Sequence, residues 1–568
     1  MTMRIYGGAI ALALAFAMTA GCSNVPEPLA AAAVAPADAC ATLARLSIAR
    51  TDIGLPTNGA TVTGVSLVAA KDGSREYCKV LVRIASVDAA SPPINMQINL
   101  PSDWNRKAFQ MGGGGFDGFL VTGEGPVPGA AKFPTPLSKG FVTFGSDGGH
   151  GTSEAFAAEE HIAAFLHDEV IANYTSDQLK KTHDVAMRIV RTRYGALPEK
   201  TYIAGGSNGG RETLDAIQRW GADYDGAIAY YPAAAGIPLA MNFGKVSRAM
   251  GAPGAFVGPA QQEVLRKAVL QACDAGDGLA DGIIANTAAC HFDVETLRCP
   301  QDQTAGPACL TGPQIDALKI ISSDTRLTYS LAGGETTEPG YNVFGGVDMT
   351  LPVSGFGMIA PAPGPVKRGQ SLHYMFYDVT VRGWILRDPV ANSLDFDPFD
   401  PGASHDRVSQ ISAFSKGWKG SYNAFHNHGG KLILVHGKND SLIPVGWSEN
   451  HYREMQQKMG TSSVNQFVRF YSVPGYGHGD GAFIVNWDSL SALDNWVENG
   501  RAPQTPVASD ANPLSAGRTR PLCEFPSWPS YNGTGSANDR ASFTSRRPRP
   551  RNFSSAPDPK RSADRVGS

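Results

Sequence analysis

The sequence has little net charge and few charged residues overall. Its 568 residues carry 49 Lys and Arg against 52 Asp and Glu, a formal charge of -3, which gives no indication of a nucleic-acid partner. Beyond the N-terminus, no apolar run is long enough to cross a bilayer. Charged residues make up 18% and hydrophobic residues 42%, as expected of a globular protein. Because the chain is too long for one simple core, we expect a large domain that carries an inserted second one.

Cysteine is also scarce, at eight residues, and the first of them lies in an N-terminal export pattern. A positive start at Arg4 is followed by the apolar segment 9–18 and then by small residues before Cys22. This order is typical of an export signal and resembles the bacterial lipoprotein cleavage box, in which the cysteine is lipidated. Thr19 stands where a leucine is usual, so an ordinary signal peptide cut near Ala20 is the alternative. Either way we expect an exported protein: periplasmic, anchored to the outer membrane as a lipoprotein, or secreted.

The cysteines that remain are odd in number. An oxidising compartment favours disulfides between them. The sequence alone does not give their connectivity, but an odd count leaves at least one thiol over. These cysteines are Cys40, Cys78, Cys273, Cys290, Cys299, Cys309 and Cys523.

The stretch 201–212 organises the rest of the chain. An apolar run, 202–204, leads into Gly-x-Ser-x-Gly centred on Ser207, and a helical pattern follows from Glu212. Strand, tight turn and helix with a serine at the apex form the nucleophile elbow of an α/β-hydrolase. The alternative is a glycine-rich turn with an incidental serine. The strand before it, the helix after it and partners in the right order favour catalysis.

An acid and a base follow the serine in the order that this fold uses. Asp440 comes just past the apolar strand pattern 431–437, although a helix cap is the competing interpretation. His478 lies in a glycine-rich loop late in the chain, and it alone among twelve histidines has both the order and the loop. His436 fits worse because it precedes the acid, and His150 precedes the serine, so we interpret His150 as structural. We therefore predict a nucleophilic serine, an orienting aspartate and a basic histidine.

Four consecutive glycines, 112–115, follow the strand pattern 108–111. Such a loop lets backbone amides approach a ligand closely. We predict that Gly114 or Gly115 supplies one donor to an oxyanion and that Asn208, directly after the nucleophile, supplies the other. A phosphate loop lacks support because the required lysine and Ser/Thr are missing, and a flexible turn remains the alternative.

Changes of pattern divide the chain. Alternating residues between 40 and 100 predict antiparallel strands at one sheet edge. The βα rhythm stops after residue 231 and returns at 431, which indicates an inserted lid where specificity usually lies. The predicted parts are a signal peptide (1–21), a tether (22–39), two pieces of an α/β-hydrolase core (40–234 and 416–545), the lid (235–415) and a disordered tail (546–568).

Inside the lid, the stretch 273–283 places three aspartates among glycines. Their carboxylates can surround one hard cation, and calcium, which takes six to eight oxygens, would need backbone carbonyls to complete its shell. The spacing is not that of an EF-hand. A solvated acidic loop is the alternative. The flanking Cys273 and Cys290 would staple the loop, which favours calcium in a structural role.

The lid also carries aromatic residues that are candidates to bind an aromatic acid. They are the run 373–377 and Trp384, with Arg382 or Arg387 available for a carboxylate or phenol. Aromatic runs more often belong to a core than to a ligand site, so core packing is the alternative.

At these motifs the chain resembles the tannase and feruloyl esterase family, which includes relatives that act on terephthalate half-esters. The resemblance runs from about residue 40 to about 543. It rests on the glycine loop, the segment 207–212, the aspartate loop, the segment 436–444 and the pair 477–478. It implies an α/β-hydrolase fold with a large inserted lid, an esterase of aromatic acids, and the triad Ser207, Asp440 and His478. It further implies calcium at Asp274, Asp277 and Asp281, with carbonyls of Leu279 and Ile283. The implied disulfides are Cys40–Cys78, Cys273–Cys290 and Cys299–Cys309.

Two departures from the family are visible. The family typically carries a disulfide between cysteines just before the serine and just after the histidine, and here those positions are Gly206 and Gly479. Alignment of the two loops must then come from packing. Cys523 would pair with a late cysteine, but that position matches Ser545, so we expect a free thiol.

The sequence therefore predicts an exported serine esterase that works through an acyl-enzyme. One alternative is a lipid-anchored binding protein on an inactive hydrolase fold, which the missing disulfide keeps open. Another is a serine peptidase of the same fold.

Overall fold

The computed structural model describes residues 36–548, except 72, 155, 301–307, 335, 352–353 and 415–419. The predicted signal peptide with Cys22, most of the tether and nearly all of the predicted tail lie outside the described residues. None of the helices in the described ranges is long and apolar enough to cross a membrane.

Strands occur along the whole described chain. They are β1 Ser47–Ile48, β2 Ala60–Val68, β3 Tyr77–Ile84, β4 Ile94–Pro101, β5 Lys107–Met111, β6 Val142–Ser146, β7 Lys200–Gly206, β8 Gly226–Tyr230, β9 Thr325–Arg326, β10 Thr337–Glu338, β11 Lys431–Gly437, β12 Val468–Val473, β13 Val485–Asn486, β14 Val507–Asp510, β15 Thr519–Pro521, β16 Trp528–Tyr531 and β17 Phe543–Arg546. Strand β17 thus reaches one residue into the predicted tail.

Ten of these strands form one sheet in the order β1-β2-β3-β4-β6-β5-β7-β8-β11-β12. The first four are antiparallel, as the alternating sequence predicts, and β4 also pairs antiparallel with β6. From β6 to β12 every pairing is parallel. Parallel strands are covered on both faces and therefore read as apolar runs, which is the pattern of Tyr202, Ile203 and Ala204 in β7.

The α-helices cover the sheet and build the lid. They are α1 Pro36–Ala41, α2 Ala158–Ala164, α3 Asp168–Ala172, α4 Gln178–Tyr194, α5 Asn208–Arg219, α6 Ile237–Gly251, α7 Pro259–Cys273, α8 Gly312–Ser322, α9 Leu372–Val379, α10 His405–Ser412, α11 Asn423–Asn427, α12 Val445–Met459, α13 Thr461–Phe467 and α14 Ser489–Asn499. Helix α4 buries Val185 and Ile189 against β4 and β6, while α14 packs Leu493 on the face of β8 and β11.

The segment between β8 and β11 forms the inserted part and carries α6 to α11. It has a hydrophobic cluster of its own, in which Val246, Leu265 and Leu318 are buried together. Helix α6 also packs against α9 and faces the main core through Phe243. This insertion lies over the carboxyl ends of β7, β8 and β11. It therefore covers the residues that follow these strands.

The three disulfide pairs that the resemblance implies are present: Cys40–Cys78, Cys273–Cys290 and Cys299–Cys309. The first explains why helix α1 starts inside the predicted tether, since Cys40 in that helix is tied to strand β3. Cys523 is buried and free, and its thiol donates to the Pro521 carbonyl at 3.8 Å.

Candidate active site

Ser207 stands at a strained turn between β7 and α5. Its backbone has φ 58° and ψ -121°, a conformation that residues other than glycine rarely adopt. Two hydrogen bonds fix the turn: the Ser207 amide donates to the Tyr230 carbonyl at 3.0 Å, and the Ala233 amide donates to the Ser207 carbonyl at 3.0 Å. The structure therefore contains the strained elbow at Ser207 that the sequence predicts.

The glycines around the serine are required by close backbone contacts. A Cβ at Gly205 would overlap the Gly209 carbonyl, and a Cβ at Gly209 would stand 2.6 Å from the Gly113 carbonyl oxygen. The nucleophile turn and the glycine loop thus press directly against each other, and side chains at these positions would separate them.

Asp440 and His478 are paired. Asp440 Oδ2 lies 2.9 Å from His478 Nδ1. The other carboxylate oxygen, Oδ1, accepts the amides of Leu442 and Ile443, each at 2.8 Å. These bonds hold the buried carboxylate in one orientation, with its free lone pairs directed at the imidazole.

A second histidine lies behind the acid, which the sequence analysis did not expect. His436, at the end of β11, places Nε2 3.4 Å from Asp440 Oδ2 and is fully buried. Burial alone raises the pKa of Asp440, but the His478 and His436 imidazoles outweigh it and hold that pKa well below its usual range. The sequence signal for this contact is the i, i+4 spacing of His436 and Asp440. That spacing indicates a contact only once β11 is known to end at Gly437.

Ser207 and His478 belong to two loops that both lie against the ring of Tyr231. In this structure the Ser207 hydroxyl makes no hydrogen bond to His478. The ring of Tyr231 lies between their loops: its centroid is 4.5 Å from that of His478, and a Cβ on Gly206 would stand 2.9 Å from its Cε2 atom. Catalytic hydrogen bonds are often long before substrate binds, so the arrangement stays compatible with a triad.

The predicted oxyanion donors are available. Gly115 and Asn208 line the same cavity as Ser207, and Gly114 faces open space. Asn208 is the first residue of α5, so its amide points out of the helix and has no partner within it. Within the described residues, no backbone hydrogen bond uses the amides of Gly114 or Gly115.

A buried pair of carboxyl groups supports this loop and was missed by the sequence analysis. Glu212 accepts the Gly113 amide at 2.9 Å, and Asn208 Nδ2 donates to Asp117 Oδ1 at 2.9 Å. The same Asn208 amide donates to Glu212 Oε1 at 3.4 Å and so bridges the two carboxyl groups. Burial, followed by the charge of Glu212, raises the pKa of Asp117 well above its usual value.

An open cavity of about 620 Å³ leads to Ser207. Its walls are mainly aromatic and aliphatic, with Phe116, Tyr174, Phe376 and Trp384 among them. Its charged lining residue, Arg211, is already committed: it donates to Asn208 Oδ1 at 2.7 Å, to the Tyr174 carbonyl at 2.8 Å and to Asp215 at 3.0 Å. The cavity therefore offers a flat apolar group many contacts and, among its lining side chains, no unpaired cation for a carboxylate.

Two of the candidate substrate contacts lie in the cavity, and the others lie outside it. Phe376 and Trp384 line the cavity, but the rest of the run 373–377 is buried elsewhere, and His373 hydrogen-bonds with the Ser441 carbonyl at 2.9 Å. Neither arginine serves a ligand. Arg382 binds Glu159 and Asp378, each at 2.8 Å, and Arg387 pairs with Asp168 at 3.5 Å. Glu159 and Asp168 lie far from the two arginines in the sequence. Asp378 lies one helical turn before Arg382, on the buried face of that helix.

His150 has the structural position that we predicted. It is fully buried, and its Nε2 lies 3.2 Å from Nδ1 of His161. Burial, and then the charge of His161, lowers the pKa of His150 to about 3. A histidine held neutral in this way packs as a core residue.

The aspartate loop folds around its own backbone amides. In the described parts of the chain, no group of three or more His, Cys, Asp or Glu is arranged to hold a metal. Asp281 is engaged, since Arg520 donates to it at 2.7 Å. Asp274 Oδ1, however, is buried with no hydrogen-bond partner. Burial and the nearby charges of Asp281 and Asp274 raise the pKa of Asp277 to about 6, which is the environment that a bound cation would relieve.

A mostly parallel sheet with a serine on the elbow after β7, and with an acid and a histidine on the loops after β11 and β12, is the arrangement of an α/β-hydrolase. The feruloyl esterase B of Aspergillus oryzae shares this fold, with a TM-score of 0.71 at 22% identity over 90% of this chain and 100% of that one.

Sequence comparison identifies the family to which the chain belongs within the α/β-hydrolase class. The family described as tannase and feruloyl esterase matches residues 78–546. An uncharacterized esterase of Agrobacterium fabrum is 38% identical over 534 residues, 91% of this chain and 95% of that protein. A mono(2-hydroxyethyl) terephthalate hydrolase of Piscinibacter sakaiensis is 29% identical over 82% of this chain and 84% of its own length. The chain belongs to the tannase and feruloyl esterase family and is a carboxylic ester hydrolase.

Proposed function

We propose that this protein is an exported serine esterase that hydrolyses esters of neutral aromatic acids through an acyl-enzyme. The observation that carries the proposal is the position of Ser207, which stands on a strained elbow at the base of a cavity walled by aromatic side chains. Aromatic rings pack well against such walls, in offset or edge-to-face contact.

In the proposed mechanism, His478 takes the proton of the Ser207 hydroxyl as its oxygen attacks the ester carbonyl. The hydroxyl and the imidazole come into hydrogen-bonding contact when substrate fills the cavity. Asp440 holds the imidazole with its Nδ1 proton inward and stabilises the imidazolium that forms. The imidazolium then protonates the departing alcohol, and water releases the acid by the reverse proton path.

The developing oxyanion is met by the amides of Asn208 and of Gly114 or Gly115. Each such donor is worth about 3 kcal/mol of transition-state stabilisation in comparable enzymes. Helix α5 adds the positive end of its dipole at the same point, because it begins at Asn208.

The cavity favours a feruloyl-like or galloyl-like acid over a terephthalate half-ester. A half-ester carries a carboxylate, which needs a free cation when it is buried. Arg211 has no free donor directed at the cavity, and Arg382 and Arg387 are paired outside it. A panel of feruloyl, galloyl and terephthaloyl esters tests this choice. The proposal requires the highest kcat/KM on a neutral acid and is contradicted by a preference for the charged half-ester.

We also propose a structural cation at the aspartate loop, held by Asp274 and Asp277 with backbone carbonyls of Leu279 and Ile283. The partnerless Asp274 oxygen and the raised pKa of Asp277 support it. Calcium fits the all-oxygen donor set. Asp281 joins only if it releases Arg520, so we expect this residue to orient the loop through its ion pair.

Export is part of the proposal. Three disulfides in one chain are characteristic of an oxidising compartment, which supports an exported protein. The N-terminal pattern further suggests lipidation at Cys22. Mass analysis of the mature N-terminus tests it: a diacylated Cys22 supports a lipoprotein, and an unmodified residue supports free secretion.

A further inference from the structure

Tyr231 occupies an unusual position directly after strand β8. Its backbone has φ 31°, in the left-handed region that tyrosine avoids. Its amide donates to the Val435 carbonyl of β11 at 2.7 Å, which fixes the strained residue between two strands of the sheet. Strained backbone persists where the surroundings determine it and is concentrated at functional sites.

The side chain of Tyr231 fills the space between the nucleophile loop and the base loop. On one side, a Cβ at Gly206 would stand 2.9 Å from Cε2 and 3.1 Å from the hydroxyl oxygen of Tyr231. On the other side, a Cβ at Gly479 would stand 3.3 Å from that oxygen. The ring therefore leaves no room for a side chain at Gly206 and little at Gly479, the residues that adjoin Ser207 and His478.

The same ring lies against the base. The centroids of Tyr231 and His478 are 4.5 Å apart, and the ring planes are inclined at 47°. The Tyr231 ring is held in turn by Tyr476, through an edge contact with ring centroids 5.8 Å apart. Tyr476 belongs to the loop that carries His478, so the Tyr231 ring contacts this base loop at two residues.

The contact with the Tyr231 ring restrains the tilt of the His478 imidazole, which the hydrogen bond to Asp440 does not restrain. One hydrogen bond at Nδ1 fixes a point on the imidazole but leaves the ring free to tilt about that bond. A flat neighbour on one face removes that freedom. It also lies within the range at which an aromatic ring attracts a cation, so it favours the imidazolium formed during turnover.

We propose that Tyr231 is a positioning residue that sets the orientation of the His478 imidazole relative to Ser207. The proposal rests on the proposed function, in which these two residues are base and nucleophile. Tyr231 itself takes no part in bond making.

The first test compares Tyr231→Ala with Tyr231→Phe on one aryl ester. We expect Tyr231→Ala to lower kcat about 10- to 100-fold with little change in KM, as a misplaced catalytic group does. Tyr231→Phe keeps the ring and loses only the hydroxyl, so it should retain kcat within about threefold. Tyr230→Phe is the matched control, because it removes a neighbouring hydroxyl that accepts from Trp487 and does not face the base.

Thermal unfolding of each variant separates positioning from folding. The proposal is overturned if folded Tyr231→Ala retains wild-type kcat, or if Tyr231→Phe loses as much kcat as Tyr231→Ala. It is also overturned if the loss appears in KM alone.

The second test is a double-mutant cycle that keeps the proposal testable even if Tyr231→Ala unfolds. Gly206→Ala alone should displace the Tyr231 ring, because the added Cβ would overlap it, and should lower kcat. In a Tyr231→Leu background, where the added Cβ no longer meets a ring, Gly206→Ala should cost less than about twofold further. Purely additive losses would contradict direct contact between the ring and the nucleophile loop.

The two proposals fail differently. If Ser207→Ala still hydrolyses the ester, the proposed function fails. If Ser207→Ala is inactive while folded Tyr231→Ala turns over at the wild-type rate, only the positioning role fails.

Discussion

The side-chain amide of Asn208 donates to Asp117 at 2.9 Å and to Glu212 at 3.4 Å, beneath the loop that carries the predicted oxyanion donors. Glu212 lies on the nucleophile helix α5 and Asp117 at the end of the glycine loop, where its φ is 56°. The hydrogen bonds from Asn208 to Asp117 and from Gly113 to Glu212 therefore join the two segments that must meet around a tetrahedral intermediate. Two charged carboxylates in this position would repel each other and separate the segments.

Replacing the titrating carboxyl group of Asp117 by an amide should make the free energy of unfolding depend less on pH. Burial and Glu212 raise the folded pKa of Asp117 above the ordinary value of 3.8, so the folded state binds more protons than the unfolded chain. The free energy of unfolding should accordingly fall as pH rises above about 4 and through the folded pKa. Asp117→Asn keeps an oxygen for Asn208 and adds a donor for Glu212, so its stability should fall less over that range.

Urea unfolding of the wild type and Asp117→Asn between pH 4 and pH 9 measures the difference. Asp103→Asn, at an exposed surface position, is the control and should leave the slope of the wild type unchanged. Parallel curves for wild type and Asp117→Asn would show that Asp117 does not hold the proton.

Asp440→Asn should lower kcat about 10⁴-fold with little change in KM, because an amide cannot stabilise the imidazolium and favours the wrong tautomer. Steady-state kinetics on an aryl ester measures it. Asp488→Asn is a matched control, since Asp488 caps helix α14 and asparagine caps equally well. A loss below about tenfold for Asp440→Asn would remove Asp440 from the predicted role.

His436→Gln should lower kcat less than Asp440→Asn does, because His436 acts on the acid and not on the base. Its Nδ1 lies 2.8 Å from Ser448 Oγ, and its Nε2 lies 3.1 Å from the Ile443 carbonyl and 3.4 Å from Asp440, so the imidazole stabilises the carboxylate from behind. We expect a loss of about 10-fold, the order of one charge-assisted hydrogen bond of about 1.5 kcal/mol. If His436→Gln equals Asp440→Asn in kcat, His436 has a direct part in the proton relay.

Ser545→Cys should form a disulfide with Cys523, because the side chain of Ser545 lies beside the Cys523 thiol. Under oxidising conditions it should add about 3 kcal/mol to the free energy of unfolding, and a reductant should remove the gain. Mass analysis without reductant detects the bond, and Cys523→Ser in the same variant is the control. A free thiol at both positions in oxidised protein would contradict the contact.

Calcium should stabilise the protein through the aspartate loop. At 100 times its dissociation constant a ligand adds about 2.7 kcal/mol to the free energy of unfolding, so a chelator should lower Tm and calcium should restore it. Asp274→Asn with Asp277→Asn should abolish this response, whereas Asp293→Asn, an exposed turn cap, should not. A Tm that is indifferent to chelator would exclude a structural cation here.

The chain order of serine, acid and histidine could be predicted from the sequence because each residue follows a strand pattern and sits at its end. Sheet topology places Ser207, Asp440 and His478 on the loops after β7, β11 and β12, and Asp440 contacts His478. The disulfide pairs came from resemblance, since spacing alone leaves their connectivity open.

Other features depend on contacts between distant segments and could not be predicted. Arg382 looked available for a ligand until helix α2 brought Glu159 to it. Nothing in the sequence marks Asp117, because its partners Asn208 and Glu212 lie far along the chain. Tyr231 follows a strand without any motif, and its importance is visible only from the space around Gly206 and Gly479.

The central claim is that Ser207 is the nucleophile of an esterase, and its most direct test is the mass of the enzyme during turnover. Rapid quenching of the wild type with a feruloyl ester, followed by peptide mapping, should show a feruloyl group on the peptide that contains Ser207. Ser207→Ala should carry no such group and should not hydrolyse the ester. Full hydrolysis by pure Ser207→Ala, or an acyl group on a different residue, would contradict the account.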